Sequence, residues 1–168
     1  MGELGNAKIL GGVGALLGLV GLGFIGFILK LLAVKKISEA TGNDEIFQKY
    51  LYAAILGIVS SLILFVAVML PAMRGRAMDV VGMGVVGVVG IVLLIAAVLF
   101  MKISYDLIAK ETGVGMFHTV ALLYIIGAVL MVVMIGALVL FIAIILEVVA
   151  FFSLPDEVPG RGEASPAI

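Results

Sequence analysis

Glu147 is the residue whose type and place most suggest chemistry. It is the one acidic or basic side chain between His118 and Leu154. An ionisable group inside an apolar run is expensive and marks a functional site unless something neutralises it. Residues 121–145 alone are long enough to fill a bilayer. Glu147 is therefore expected at the membrane interface, in an ion pair with Lys8, Arg74 or Arg76. Proton or substrate binding and plain hydration are the alternatives.

Other candidates carry less. His118 is the only histidine and there is no cysteine, so no metal-ligand set forms around it. Glu39, Asp44, Glu45, Asp106 and Glu111 could pair for acid–base work. They alternate with Lys35, Lys36, Lys49 and Lys110, which reads as a solvated, salt-bridged surface. Gly82, Gly84 and Gly87 match the spacing of a dinucleotide fingerprint, but they open an apolar run and do not follow a strand. No catalytic, cofactor-binding or metal residue is assigned, no cofactor is expected, and an enzyme is not the expectation. The net charge of −1 and the lack of a basic stripe point away from nucleic acid. No small-molecule ligand is identified.

The elements that must position these residues are helices in lipid. Of 168 residues, 64% are hydrophobic and 12% charged, too apolar for a water-soluble domain of this size. The fold class expected is an all-α membrane protein with four transmembrane helices. The first covers 9–32 in the membrane and continues to Thr41, roughly 35 residues or about 50 Å. A run this long, without a small-residue cleavage site before Lys35, is expected to stay as a span and not to leave as a signal peptide. Gly42 and Asn43 stop the first helix, Asp44 caps the second, and Pro71 ends it. Asp79 caps the third, which stops at Thr112 and Gly113. The fourth runs from Gly115 to Leu154. Residues 1–154 make one four-helix domain, and 155–168 a flexible polar tail.

The halves resemble each other. Phe47 and Gly57 match Phe117 and Gly127, and a Thr-Gly stop occurs in both. Repeat A covers about 6–71 and repeat B about 79–154, two parallel-repeat hairpins related by an axis along the membrane normal. Helices 1 and 3 then project beyond the bilayer on the turn side. Both termini and the Arg74/Arg76 loop lie on the other side. Glycine contacts should hold the helices together, because lipid removes the hydrophobic drive for pairing. The packing residues expected are Gly11, Gly14, Gly18 and Gly21 in the first helix and Gly57 in the second. Gly84 and Gly87 serve the third, and Gly136 the fourth.

The run Lys35-Lys36-Ile37-Ser38-Glu39 is followed by Asp44-Glu45-Ile46-Phe47-Gln48-Lys49-Tyr50-Leu51. Both come after a glycine-rich span that begins Leu10-Gly11-Gly12-Val13-Gly14. Together they resemble a family of uncharacterised multi-pass membrane proteins, mainly archaeal with some bacterial members, that carry a domain-of-unknown-function label. The resemblance extends to about Leu154. It implies the multi-pass class and brings no catalytic residues with it.

Lysines flank the turns at positions 30, 35, 36, 49, 102 and 110, against Lys8, Arg74, Arg76 and Arg161 opposite. That bias puts the turns in the cytoplasm and both termini outside the cell membrane. The function expected is a non-enzymatic scaffold or assembly protein whose partners are the lipid bilayer and other copies of itself. A small transporter or channel built from two hairpins is the alternative.

Overall fold

The computed structural model describes residues 2, 4–73, 80–130 and 135–160. Among them the chain is all α, with six helices: α1 (Gly5–Leu19), α2 (Gly23–Thr41), α3 (Asp44–Met73), α4 (Val80–Thr112), α5 (Met116–Leu130) and α6 (Gly136–Phe152). Six replaces the expected four because the first and last helices are each broken and folded back on themselves.

The first break lies at Val20–Leu22. Gly21 takes φ +86, a left-handed conformation that costs a glycine nothing. The Leu22 N–H reaches back to the Leu17 carbonyl at 2.9 Å, and the Val20 N–H to Leu16 at 3.2 Å. This is a Schellman-type helix stop. The chain reverses, and α2 runs antiparallel to α1. Their closest approach is at two glycines. A Cβ on Gly14 would sit 2.7 Å from the Gly26 carbonyl oxygen, so no side chain fits between the backbones. Gly21 thus ends a helix instead of packing one, and Gly18 has open space where its side chain would be.

At the other end of the chain, α5 stops at Leu130 and α6 returns from Gly136. Leu140 packs over Gly127, where a Cβ would come within 2.6 Å of its Cδ2. Each short helix is 15 to 19 residues long.

Between these hairpins stand two long helices. α3 has 30 residues and α4 has 33. Both are long and apolar enough to cross a membrane, with mean hydropathy 2.7 and 2.9 over an 18-residue window of each. They pack side by side along their length. Ser60 donates to the Gly90 carbonyl at 2.8 Å, and Leu64 lies against Gly90 itself. α3 continues through Pro71 to Met73 instead of ending there. Gly84 has φ +57 and ψ −162, so it kinks α4 and has nothing packed on it. Gly57 faces Ala97 at ordinary van der Waals distance, and Gly87 and Gly136 are buried.

The two Thr-Gly turns are built alike. Gly42 and Gly113 have φ 68 and 73. Thr41 and Thr112 each return their hydroxyl to the carbonyl four residues back, at 2.8 and 2.7 Å. The Asn43 amide donates to Glu111 at 3.0 Å and ties one turn to the other. Asn43 also caps α3, its Oδ1 accepting the Glu45 N–H at 3.2 Å, so Asp44 lies in the first turn and is not the cap. Fully buried Ile46 and Phe117 each follow their threonine by five residues, while Phe47 is only half-buried. The likeness of the halves is therefore local to the turns and offset by one residue from the Phe47/Phe117 match. Beyond the turns the halves differ, because one is hairpin then long helix and the other long helix then hairpin.

Folding back brings Leu4 and Asp156, near the two ends of the described chain, to the turn end. The Leu4 N–H donates to the Asp156 carbonyl at 3.2 Å. Leu4 and Leu154 join Ile37, Ile46, Ile108, Phe117 and Phe151 in one buried cluster. The expectation that the termini lie opposite the turns is thus corrected. The physical reason is the pair of extra reversals, each of which returns the chain to the end it came from.

Candidate functional site

Every helix but α1 contributes to one buried polar cluster. α6 carries Glu147, whose side chain is 0% exposed. α2 brings Lys30, α4 brings Tyr105 and α5 brings Tyr124. Lys30 Nζ donates to Glu147 Oε1 at 3.2 Å and Oε2 at 3.1 Å. Tyr124 donates to Oε2 at 2.8 Å, and Tyr105 donates to Oε1. α3 adds Tyr50, whose ring stacks on Tyr105 with centroids 6.0 Å apart.

The local sequence explains the convergence. Tyr105 lies about two turns before the Thr112 stop, and Tyr124 about two turns into α5. Glu147 lies just over one turn before the end of α6. All three side chains reach a similar level below the turn end. Lys30 starts about three turns below Thr41 and its long stem carries the ammonium to the carboxylate. Phe117 and Phe151 seal the cluster on the turn side. Tyr105, Phe117 and Phe151 stand edge to face at 5.5 and 5.1 Å, and Phe151 fills the notch left by Gly11 on α1.

Taking a carboxylate and an ammonium out of water costs several kcal/mol each, and only good geometry offsets it. Here both carboxylate oxygens are shared between a cation and a phenol. No buried side-chain nitrogen or oxygen among the described residues lacks a hydrogen-bond partner. Lys30 alone of the pair keeps some exposure, 20%. It lines a cleft of about 240 Å³ between α2, α3, α4 and α5. Tyr50 and Tyr124 share its polar end. Phe27, Ala53, Ala54, Gly57, Leu94, Ala97, Val98 and Met101 make its apolar walls.

Residues 22–145 match the family described as a protein of unknown function, DUF996. The chain belongs to this family. The match begins at the break between α1 and α2 and stops two residues before Glu147. This DUF996 chain is 41% identical over 170 positions to the uncharacterized protein MJ1644 of Methanocaldococcus jannaschii, covering 92% of this chain and 95% of that one. No solved structure matches.

Of the ion pair expected around Glu147, Arg74 and Arg76 lie outside the described residues. Lys8 is not among the groups bonded to the carboxylate; Lys30 takes that place. Lys30 and Glu147 are lone charges of opposite sign, each flanked by leucine and isoleucine or valine neighbours. That apolar setting is the only signal the sequence holds, and it does not single Lys30 out as the partner of Glu147. His118 is at the surface, where Nδ1 meets Asp106 Oδ1 at 2.6 Å and Lys102 holds the other carboxylate oxygen. The acids near the turns pair with lysines as read: Lys35 and Lys36 with Glu39, and Lys49 with Glu45. No group of three metal-ligating side chains occurs among the described residues.

Proposed function

We propose that this DUF996 chain is an integral membrane protein and a non-enzymatic scaffold. α3 and α4 cross the bilayer, and the two short hairpins enter from the turn end and stop part-way. The observation that carries the reading is the outward face of α3 and α4 beyond the hairpins. Leu62, Phe65, Val66, Val85, Val88 and Val92 are all more than half exposed there. A contiguous apolar surface of that kind needs lipid or a partner. The hairpin bend at Val20–Leu22 fits the same setting, since its N–H groups at Val20 and Leu22 are bonded within the chain.

The scaffold reading rests on the buried cluster, in which the carboxylate's hydrogen-bonding capacity is taken up by neighbouring helices. Other copies of the chain are the expected partner along the exposed faces of α3 and α4. Lys8, Lys35, Lys36, Lys49 and Lys110 collect at the turn end, a bias that supports a cytoplasmic location for it. Leu4 and Asp156 then share that side. A small transporter is the second reading, favoured by the cleft that reaches the Lys30–Glu147 pair. Flux measurements on purified protein in liposomes separate the two. The scaffold reading expects no solute flux above empty vesicles; a flux lost on Gly57→Leu would replace it with the transporter.

A further inference from the structure

The cleft beside Lys30 has a chemistry of its own. Its walls are apolar, and its one polar end is made of Lys30, Tyr50 and Tyr124. Glu147 takes no part in lining it, being fully enclosed behind these groups. The Lys30 ammonium has three N–H groups and Glu147 offers it two oxygens. A donor therefore remains for the cleft, where Lys30 is partly exposed. What the cleft offers is thus a hydrogen-bond donor at the end of an apolar slot. The charge behind that donor is already cancelled. A second carboxylate brought to Lys30 would lie close to Glu147 and be repelled in a low-dielectric setting.

From this geometry we infer that the cleft binds a neutral long-chain lipid, with its tail against Ala54, Gly57, Leu94 and Val98 and an acceptor oxygen, hydroxyl or carbonyl, on Lys30. The inference rests on the membrane reading above, because the lipid enters from the hydrocarbon phase. It goes beyond that reading by naming a site and a ligand class. Gly57 is the natural plug point. A Cβ there meets only Ala97, at 4.0 Å, so a larger side chain grows into the cleft without displacing backbone.

The test uses the full chain in phosphatidylcholine nanodiscs and two photoreactive probes, diazirine-bearing hexadecanol and diazirine-bearing palmitate in its ionised form. Peptide mapping after illumination should place the alcohol on the segments around Gly57 and Val98. Unlabelled hexadecanol should compete it away. Gly57→Leu should lower that labelling at least about tenfold, a loss of about 1.4 kcal/mol of binding. Palmitate should label about tenfold less than the alcohol. Lys30→Met should also abolish labelling, but it leaves Glu147 without its cation and the fold at risk, so Gly57→Leu is the deciding variant. Labelling untouched by Gly57→Leu, or palmitate labelling as strong as the alcohol, overturns the inference. Alkaline carbonate extraction of the source membranes runs alongside. Release of the protein there overturns the membrane reading and the site with it; retention without cleft labelling overturns the site alone.

Discussion

The two ends of the molecule are built on different terms. At the turn end, five helices meet around Glu147, and Tyr105, Phe117, Phe151, Leu4 and Ile108 are shut away completely. At the far end, α3 and α4 continue as a pair, and Val85 is 79% exposed with Leu62 at 61%. The first end is packed like the core of a water-soluble protein, with its polar groups paired inside. The second has apolar side chains pointing outward and only a narrow seam of small residues facing in. One end carries its own interior, and the other turns its apolar side chains outward. The hairpins set the boundary: the first reverses at Gly21, and the second between Leu130 and Gly136.

The largest effect should come from unpairing the turn end. Glu147→Ala leaves the Lys30 ammonium buried without its counter-charge and two tyrosine hydroxyls without their acceptor. Breaking a buried pair from one side costs about 3–5 kcal/mol. The loss should appear as a lowered unfolding midpoint in detergent, titrated with a denaturing surfactant. The double variant Lys30→Met, Glu147→Leu should recover only part of it, because no lone charge is left behind but the Tyr105 and Tyr124 hydroxyls still lack their acceptor. A Glu147→Ala protein as stable as the parent would mean that the cluster is not what joins the hairpins.

The far end responds to a different change. Leu62→Asp puts a carboxylate on an outward face. If lipid surrounds that face, the substitution costs about 2.5–3.5 kcal/mol at mid-membrane depth. If water surrounds it, the change should stay within about 0.5 kcal/mol. The inserted fraction in a membrane-integration assay reads the difference directly. A Leu62→Asp chain that inserts and folds like the parent would contradict the membrane placement of α3 and α4.

How much of this was legible in the sequence follows the same division. The long helices and the Thr-Gly turns could be read, because Gly42-Asn43 and Thr112-Gly113 sit among charged residues that mark a helix end. Gly21 makes the same kind of stop, yet its neighbours are Val20 and Leu22, and an apolar hairpin has the composition of a straight span. The stretch between α5 and α6, residues 131–134, reads Met-Val-Val-Met and contains no turn residue at all. Hydropathy counts such a run as one crossing. Glu147 was conspicuous alone, but its cation lies 117 residues away and resembles any lysine at the edge of a span. Tyr50 and Tyr105 carry no such mark, since aromatic side chains near a helix end anchor at a membrane interface more often than they serve a buried carboxylate.

The smallest effect is the one that compares the two ends on equal chemistry. Ser104 at the turn end and Ser60 in the far seam are both fully buried, and each donates to a carbonyl on the neighbouring helix at 2.8 Å, Ser104 to Ile46 and Ser60 to Gly90. Both acceptors are helix carbonyls that can keep a backbone partner when the serine goes, so alanine strands no buried polar group. Ser104→Ala should then cost about 1 kcal/mol, the usual net worth of an intramolecular hydrogen bond. Ser60→Ala should cost less, about 0.6 kcal/mol, the average measured between helices in lipid, where the unfolded reference also finds partners. Denaturant titrations of the two variants side by side resolve the order if not the exact gap. A Ser60→Ala loss well above that of Ser104→Ala would put the far seam, and not the Glu147 cluster, at the centre of the fold's stability, since the narrow contact between α3 and α4 would then depend on that one bond.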